Sequence, residues 1–435
     1  MCPISIEETE GIPIKGVPYF GEEKWLSPLN FMPEVVGTGL NERKIAIHDV
    51  TLRDGEQTPG VVWKEDERVL LAQAFDEIGI HRIEVGMPII SEDIRRATRR
   101  LTSMKNLKAT IEPLARAHMD DINICVDCGV KSVGIEICIN PYTLRYAMDM
   151  TFDKALERIV KTVHHARQNG MKVNFHGWDS GRTTLDYLHR AYSRIIKEAQ
   201  PDSITVYDSF GDVTPMAVLF LFRKLKEWFP KTPFEFHTHN DFGFSTGSTL
   251  AAVLGGADCV HCAFNGLGER TGNTPTEEIV TGLELLFGIK TGVQLQGLKR
   301  VSRLVEEISK VKVHPNKPIV GDRIFDIESG LVVDMIEKYK PLGVRSVWGT
   351  FVPDLVGAKP LTIILGKGAG KANVQYYLDK HGISLSKEAL NDLTQQIKDL
   401  GRIKKGNITE EEFLIMVNQI QKGESKERDV GSKTT

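Results

Sequence analysis

From Lys44 to Leu286, short β-like apolar runs alternate with longer amphipathic ones. The short runs lie at 44–50, 81–86, 107–112, 131–138, 171–176, 203–207, 233–237 and 258–263, and predict eight strands. Helical periodicity follows each one, over 64–78, 91–105, 117–128, 150–169, 183–199, 213–228, 245–255 and 276–287. Ser91-Glu92-Asp93 and Asp212-Val213-Thr214-Pro215 read as helix starts, and Asn169-Gly170 as a helix stop. Strands separated by helices pair in parallel. Eight such units over about 250 residues have the count and size of a (β/α)8 TIM barrel. A doubly wound open sheet is the alternative, and no Gly-x-Gly-x-x-Gly follows the first strand to support it.

Outside that stretch the pattern changes. Residues 1–43 are rich in Pro, Gly and aromatics and predict an extended arm, since Tyr19, Trp25 and Phe31 suit a covered surface. The barrel is expected over 44–290, a helical subdomain over 291–345 and an α/β C-terminal subdomain over 346–422, with 423–435 a polar, disordered tail. A β-like run at 361–365 precedes the Gly-rich turn Gly366 to Gly370, and Asn407 opens a last helix with a capping-box pattern.

Composition narrows the class. A length of 435 residues exceeds one ordinary domain, and 41% hydrophobic with 26% charged residues is globular. A net charge of −3 gives no sign of a nucleic-acid or membrane partner, and no apolar run is long enough to span a bilayer. Residues 1–16 lack signal-peptide features, so a cytoplasmic setting is expected. Two Cys-x-x-Cys pairs, Cys125/Cys128 and Cys259/Cys262, invite a zinc reading. Cys259 and Cys262 sit in a strand with sulfurs facing opposite ways, and Cys125 and Cys128 have no turn between them. Free thiols are the simpler expectation.

The chemistry gathers at the ends of strands. His237-Thr238-His239 closes the seventh strand, and residues two apart in a strand share a face, so the two imidazoles converge. Such a pair suits a divalent metal; the competing reading is two histidines bonded to carbonyls. The first strand runs into Arg53-Asp54-Gly55-Glu56-Gln57, and the eighth into a Gly-rich loop ending at Asn273. Active sites of these barrels lie at the strands' C-terminal ends. Asp54, His237, His239 and the Asn273 amide oxygen would make an N/O site for Mn, Mg, Fe, Co or Zn. Asp54 is the chosen carboxylate because Asp49 lies within the strand pattern. Arg53 offers a fork suited to a substrate carboxylate, the alternative being an ion pair with Glu84 or Asp208.

Several long motifs taken together resemble a known group. TLRDGEQTPG, the His-Thr-His-Asn-Asp-x-Gly stretch and GLGERTGN are similar to signatures of the DRE-TIM metallolyases. The 2-isopropylmalate, homocitrate, citramalate and Re-type citrate synthases come nearest. HPNKPIVGD, FVPDLVG and ILGKGAG resemble that group's C-terminal subdomains, so the likeness runs from about Lys44 to about Leu400. It implies a divalent metal (Mn2+ or Mg2+, with Zn2+ or Co2+ also suited) on Asp54, His237, His239 and Asn273. It also implies Arg53 at a 2-oxo acid, Claisen condensation of acetyl-CoA with that acid followed by thioester hydrolysis, and a homodimer.

The sequence departs from the group in three places. A Ser-x-Glu-Asp segment expected at the fifth strand's end reads His176-Gly177-Trp178-Asp179, with Ser180-Gly181-Arg182 after it. Asp208-Ser209 stands where Asp-Thr is usual, and a hydroxyl survives. The segment Phe-x-His-Glu-Ser-Gly-Ile-His reads Phe325-Asp326-Ile327-Glu328-Ser329-Gly330-Leu331-Val332, without either histidine, and an expected tyrosine is Trp348. Glu328 is then the expected catalytic base or a helix cap. Arg53, Ser209 and Glu328 are the candidate catalytic residues; Arg53, Gln57, His176, Arg182 and Ser209 are the candidate substrate contacts. Because His176 and Arg182 would add polar or cationic groups near the acceptor, the reading leans to oxaloacetate and Re-type citrate synthesis. Isopropylmalate, citramalate or homocitrate synthesis is the alternative within the group. A metal-dependent carbon–carbon lyase or aldolase, or an inactive regulatory paralogue, is the reading from another class.

Overall fold

The computed structural model describes residues 17–37 and 39–431; residues 1–16 of the expected arm, Cys2 with them, and 432–435 of the expected tail lie outside them. The described residues form two compact units, one within 28–321 and the other of residues 322–431 together with 17–27.

The first unit is the barrel. Nine parallel strands follow the order β3-β2-β1-β9-β8-β7-β6-β5-β4. They are β1 (Ala46–Asp49), β2 (Arg82–Ile83), β3 (Thr110–Ile111), β4 (Leu114–Arg116), β5 (Ser132–Cys138), β6 (Lys172–Trp178), β7 (Ser203–Asp208), β8 (Phe234–Thr238) and β9 (Cys259–Cys262). The extra strand is a split third one: Pro113, which has no N–H to give the ladder, separates β3 from β4. Glu112 N and Leu114 N still donate to Ile83 O and Gly86 O, and Pro113 O accepts from Gly134 N, each at 3.0 Å. The ring therefore closes through 110–116, and the fold is the eight-unit barrel. The helices between the strands begin where the sequence provides caps. Ser91 Oγ accepts from Ile94 N at 3.2 Å, and Thr214 caps the helix Pro215–Trp228 with Pro215 in its first turn.

The strands' inward positions form layers spaced two residues apart. Arg82, Glu112, Glu235, Asn174 and Ser132 form the deepest layer, and Arg82 lies 3.1 Å from both glutamates, which offsets its burial. Above it His48 Nδ1 lies 3.1 Å from His261 Nε2, and His261 lies 3.1 Å from Glu235. His176 and Thr205 share this layer, and Gly134 opposite leaves the room: a Cβ there would lie 2.9 Å from the His176 ring. Glu136, Trp178 and Tyr207, two residues beyond Gly134, His176 and Thr205 along their strands, line the cavity at the mouth, beside His237.

In the second unit Asp326–Ile327 pairs in parallel with Thr362–Ile363. Ile327 and Val332, at the two positions where the resemblance places histidines, are buried with Val333 and Ile363. Helices Lys371–Lys380, Lys387–Lys404 and Glu410–Gly431 complete this unit around Leu365, Leu378, Leu393, Ile397 and Phe413. The last helix carries the polar segment from Gly423 as far as Gly431.

Candidate metal and substrate site

Turns after three strands bring the ligating groups together. Beyond β1, Arg53 N and Asp54 N both donate to Val50 O, so the chain turns back over the strand end and Asp54 faces inward. His237 lies in β8 and His239 just past it, where His239 N donates to Asp208 O at 3.2 Å. The loop after β9 brings Asn273 to a bridge with His239. That loop needs its glycines. Gly268 has φ +155° and Gly272 φ +87°, and a Cβ on them would lie 2.1 Å from Asn273 Nδ2 and 1.8 Å from Gly266 O.

Asp54, His237 and His239 offer ligand atoms that all lie within 4.8 Å of one another. His237 Nε2 is 3.3 Å from Asp54 Oδ2 and 3.4 Å from His239 Nε2. Two ligands about 2.1 Å from one ion are separated by about 3 Å or a little more, so the spacing suits a small divalent cation. Asn273 donates through Nδ2 to Leu267 O at 3.0 Å and leaves its buried Oδ1 without a partner, a fourth donor of the right kind. The protonation states agree. Burial pushes the His237 imidazole down to about 3 and lowers His239, against the pull of Asp54, so both are neutral. Burial would raise Asp54, but Arg53 and the two imidazoles hold it well below the usual carboxylate range. The residues fit a divalent metal.

Arg53 lies beside this group. Its Nε donates to Glu84 at 2.5 Å, and its Nη1 lies 3.2 Å from Asp54 and 3.4 Å from Gln57 Oε1. The ion pair with Glu84 exists and does not exhaust the fork: the buried Nη2 has no partner. Both carboxylates keep the guanidinium protonated against its burial. Arg53, Asp54, Gln57, Ser209 and His239 line one cavity of about 140 Å³. Ser209 Oγ accepts from Asp179 N at 2.9 Å, which leaves its own proton free to donate.

Two expected site residues lie away from this cavity, and a third belongs to the other unit. His176 is fully buried one layer beneath the cavity, with Nδ1 2.7 Å from the Tyr207 hydroxyl. Arg182 forks onto Asp179 with two contacts of 2.7 Å and stacks 3.5 Å above the Phe210 ring. It lines a separate surface cavity with Asn140, Tyr142 and Tyr146. Glu328 belongs to the C-terminal unit, where Oε1 accepts from Gly368 N at 2.8 Å in the Gly-rich turn. Conversely, Glu136, Trp178, Tyr207, Phe210, Glu269 and Arg270 line the barrel cavity without having been expected there. Tyr207 stacks on His237 with ring centroids 4.4 Å apart and fixes that imidazole's plane. The available signal was period two: Glu136 is a lone acid near the end of an otherwise apolar strand.

A closed parallel barrel carrying an Asp/His/His group and a buried arginine at its strand ends defines a barrel enzyme built to hold a divalent metal. The chain belongs to the HMGL-like family, which it matches over residues 44–305, more than half its length. It is 37% identical over 362 residues to a 2-isopropylmalate synthase of Methanocaldococcus jannaschii, covering 82% of this chain and 68% of that one. A homocitrate synthase of the same organism is 34% identical over 406 residues, covering 93% and 97%. An (R)-citramalate synthase is 36% identical over 380 residues, covering 86% and 74%. Among solved structures, the Bacillus subtilis HMG-CoA lyase superposes with a TM-score of 0.56 at 18% identity, over 62% of this chain and 95% of that one. That likeness concerns the fold.

Proposed function

We propose that the chain is a metal-dependent synthase that condenses acetyl-CoA with a short 2-oxo acid and then hydrolyses the thioester, as its isopropylmalate, citramalate and homocitrate synthase relatives suggest. The observation that carries this reading is the unpartnered, buried Arg53 Nη2 beside the Asp54–His237–His239 group, at a cavity of about 140 Å³. A space that small suits a 2-oxo acid.

In this reading Asp54, His237, His239 and Asn273 hold the metal, Mn2+ or Mg2+ by the oxygen share of the set, with Zn2+ or Co2+ also accommodated. When bound, the ion acts as a Lewis acid on the 2-oxo carbonyl. Arg53, aimed by Glu84 and Gln57, binds the acceptor's carboxylate and stabilises negative charge developing beside it. Ser209 donates to an acceptor oxygen. Trp178, Tyr207 and Phe210 form the wall and keep water from the reacting carbon.

An oxaloacetate acceptor would call on His176 and Arg182, and both are engaged away from the cavity. A second carboxylate on the acceptor would also meet Glu136 in the wall. The reading therefore favours a monocarboxylic acceptor such as pyruvate or 2-oxoisovalerate. The test is thiol release from acetyl-CoA across pyruvate, 2-oxoisovalerate, 2-oxoglutarate and oxaloacetate, with Mn2+ or Mg2+ present. Release with a monocarboxylic acid is expected. Release with none refutes a synthase, and a preference for oxaloacetate refutes the acceptor assignment.

Two further parts of the reading concern the whole molecule. The active form is a homodimer. The setting is cytoplasmic, in accord with Cys125, Cys128, Cys138, Cys259 and Cys262, all buried and unpaired. Among the described residues no helix is long and apolar enough to cross a membrane.

A further inference from the structure

We propose that Glu136 is the base that takes the proton from the acetyl-CoA methyl group; this rests on the synthase reading above.

The first ground is its position. Glu136 is in β5, paired in register with His176 of β6, and it lines the same cavity as Arg53, Asp54, Ser209 and His239. The second is its freedom. Among the described residues the Glu136 carboxylate makes no hydrogen bond and no ion pair. The other acids around the mouth are held. Asp54 faces the imidazoles and accepts from Glu269 N, Glu84 and Asp179 hold arginines, Asp208 accepts from Thr238, and Glu269 and Asp241 pair with Arg270. His239, the imidazole in the cavity wall, belongs to the metal group. Glu136 is therefore the free base of that wall. The third ground is substitution between neighbouring strands. On β6 the mouth position is Trp178, where the resemblance places a glutamate, and Glu136 of the adjacent strand brings a carboxylate to the same cavity.

Its surroundings suit the task. Burial raises the Glu136 carboxyl, Arg53 opposes that and Asp54 adds to it, so the group is a stronger base than an exposed glutamate. The step balances within the substrates. The methyl C–H bond breaks, its proton goes to Glu136, and its electron pair forms the new bond to C2 of the 2-oxo acid. The carbonyl π pair moves to oxygen, and that oxygen takes the proton back from Glu136, directly or through a water, to become the hydroxyl of the product and restore the carboxylate. Water then cleaves the thioester, releasing the thiol and a carboxylate.

Glu328 is the rival. Its unit buries Ile327 and Val332 at the two histidine positions, and its carboxylate is taken by the Gly368 N–H.

The test compares wild type, E136Q, E136A and E328Q as full-length, metal-loaded protein. Thiol release by the wild type comes first; its absence overturns the function and this assignment with it. Given an active wild type, E136Q should lose at least about 100-fold in kcat while keeping its metal and keeping the acceptor KM within about threefold. The isotope effect with trideuterated acetyl-CoA should rise as proton removal becomes limiting, and formate should restore part of the E136A rate. A loss without the isotope effect, a loss that follows metal content, or a 100-fold loss in E328Q with E136Q active overturns Glu136 as the base and leaves the synthase reading standing.

Discussion

At the scale of single residues, the site depends on groups whose charge is fixed by burial. His239→Ala removes one of two imidazoles that converge within 3.4 Å, leaving Asp54, His237 and Asn273. Metal affinity should fall by at least about 100-fold, beyond the 10–100-fold typical of losing an outer-shell partner. Elemental analysis after gel filtration checks this, with circular dichroism showing an intact barrel; a full complement of metal in the variant would refute the ligand assignment. The interior histidines allow a second expectation. Burial holds His176 well below its ordinary 6.5, with His261 beside it adding to the effect. The unfolded chain takes up a proton there below about pH 6.5 and the folded one does not. The stability this provides is complete above that pH and is lost as pH falls, by up to about 1.4 kcal/mol per unit. Asp49, pushed up to about 7 by burial, works in the opposite sense, so the difference between variant and wild type is the informative quantity. In metal-free protein, His176→Gln should make urea stability between pH 6.5 and 5 less steep on acidification. Equal slopes would mean that His176 charges within the fold. At this scale the grouping of Asp54 with His237 and His239 is legible in sequence, because the residues sit in short motifs at strand ends, where a parallel barrel has its mouth. Which layer a side chain occupies is less legible. Period two gives the face of His176 correctly, but its depth follows from Gly134 and Tyr207 on two other strands. Glu136 carries no motif at all; its freedom is a property of what its neighbours bond instead.

At the scale of elements, the apolar–polar pattern locates all eight strand runs, because the longer strands, β5 to β9, are buried on both faces and read as short apolar blocks. The third differs, since Pro113 interrupts it and the continuation at Leu114–Arg116 lies beyond the apolar block. In the second unit the β-like run at 361–365 contains the strand Thr362–Ile363, whereas its partner Asp326–Ile327, far away in the chain, is too short to leave a periodic signal. The loop Gly266 to Asn273 shows how an element can carry chemistry through backbone shape. Gly268→Ala would strain a left-handed residue and drive a Cβ against the Asn273 amide at 2.1 Å. The expected result is a loss of about 1–3 kcal/mol in stability together with at least about tenfold weaker metal binding. Gly170→Ala, at φ +76° with nothing within 4 Å, separates the two effects: it should cost stability and leave metal affinity unchanged. Unaltered metal titration in Gly268→Ala would show that Asn273 is not a ligand.

At the scale of the molecule, the cavity at the barrel mouth poses a problem of size. A volume of about 140 Å³ holds a 2-oxo acid and not an acyl-CoA, whose nucleotide and pantetheine arm need a far longer surface. The C-terminal unit meanwhile exposes Leu331 by 73% and Trp348 by 51%, and it contains an apolar-lined hollow of about 500 Å³ beside Trp348. Large apolar side chains left open in this way are more typical of a surface that meets a partner than of one that meets water. Leu331 also lies in the segment where the resemblance places two histidines, and here those positions are the buried Ile327 and Val332. The segment thus carries no imidazole at either position and presents Leu331 outward, a face suited to association with a second copy of the chain. Light scattering at micromolar concentration should therefore give twice the mass of 48.6 kDa. The interface should exceed the roughly 2,000 Å² at which obligate contacts begin. Leu331→Glu, which places a charge on that face without touching a buried residue, should shift the protein toward monomer and raise the KM for acetyl-CoA more than that for the 2-oxo acid. A wild type that scatters as a monomer would rule the association out; a dimer indifferent to Leu331→Glu would place its interface on another surface.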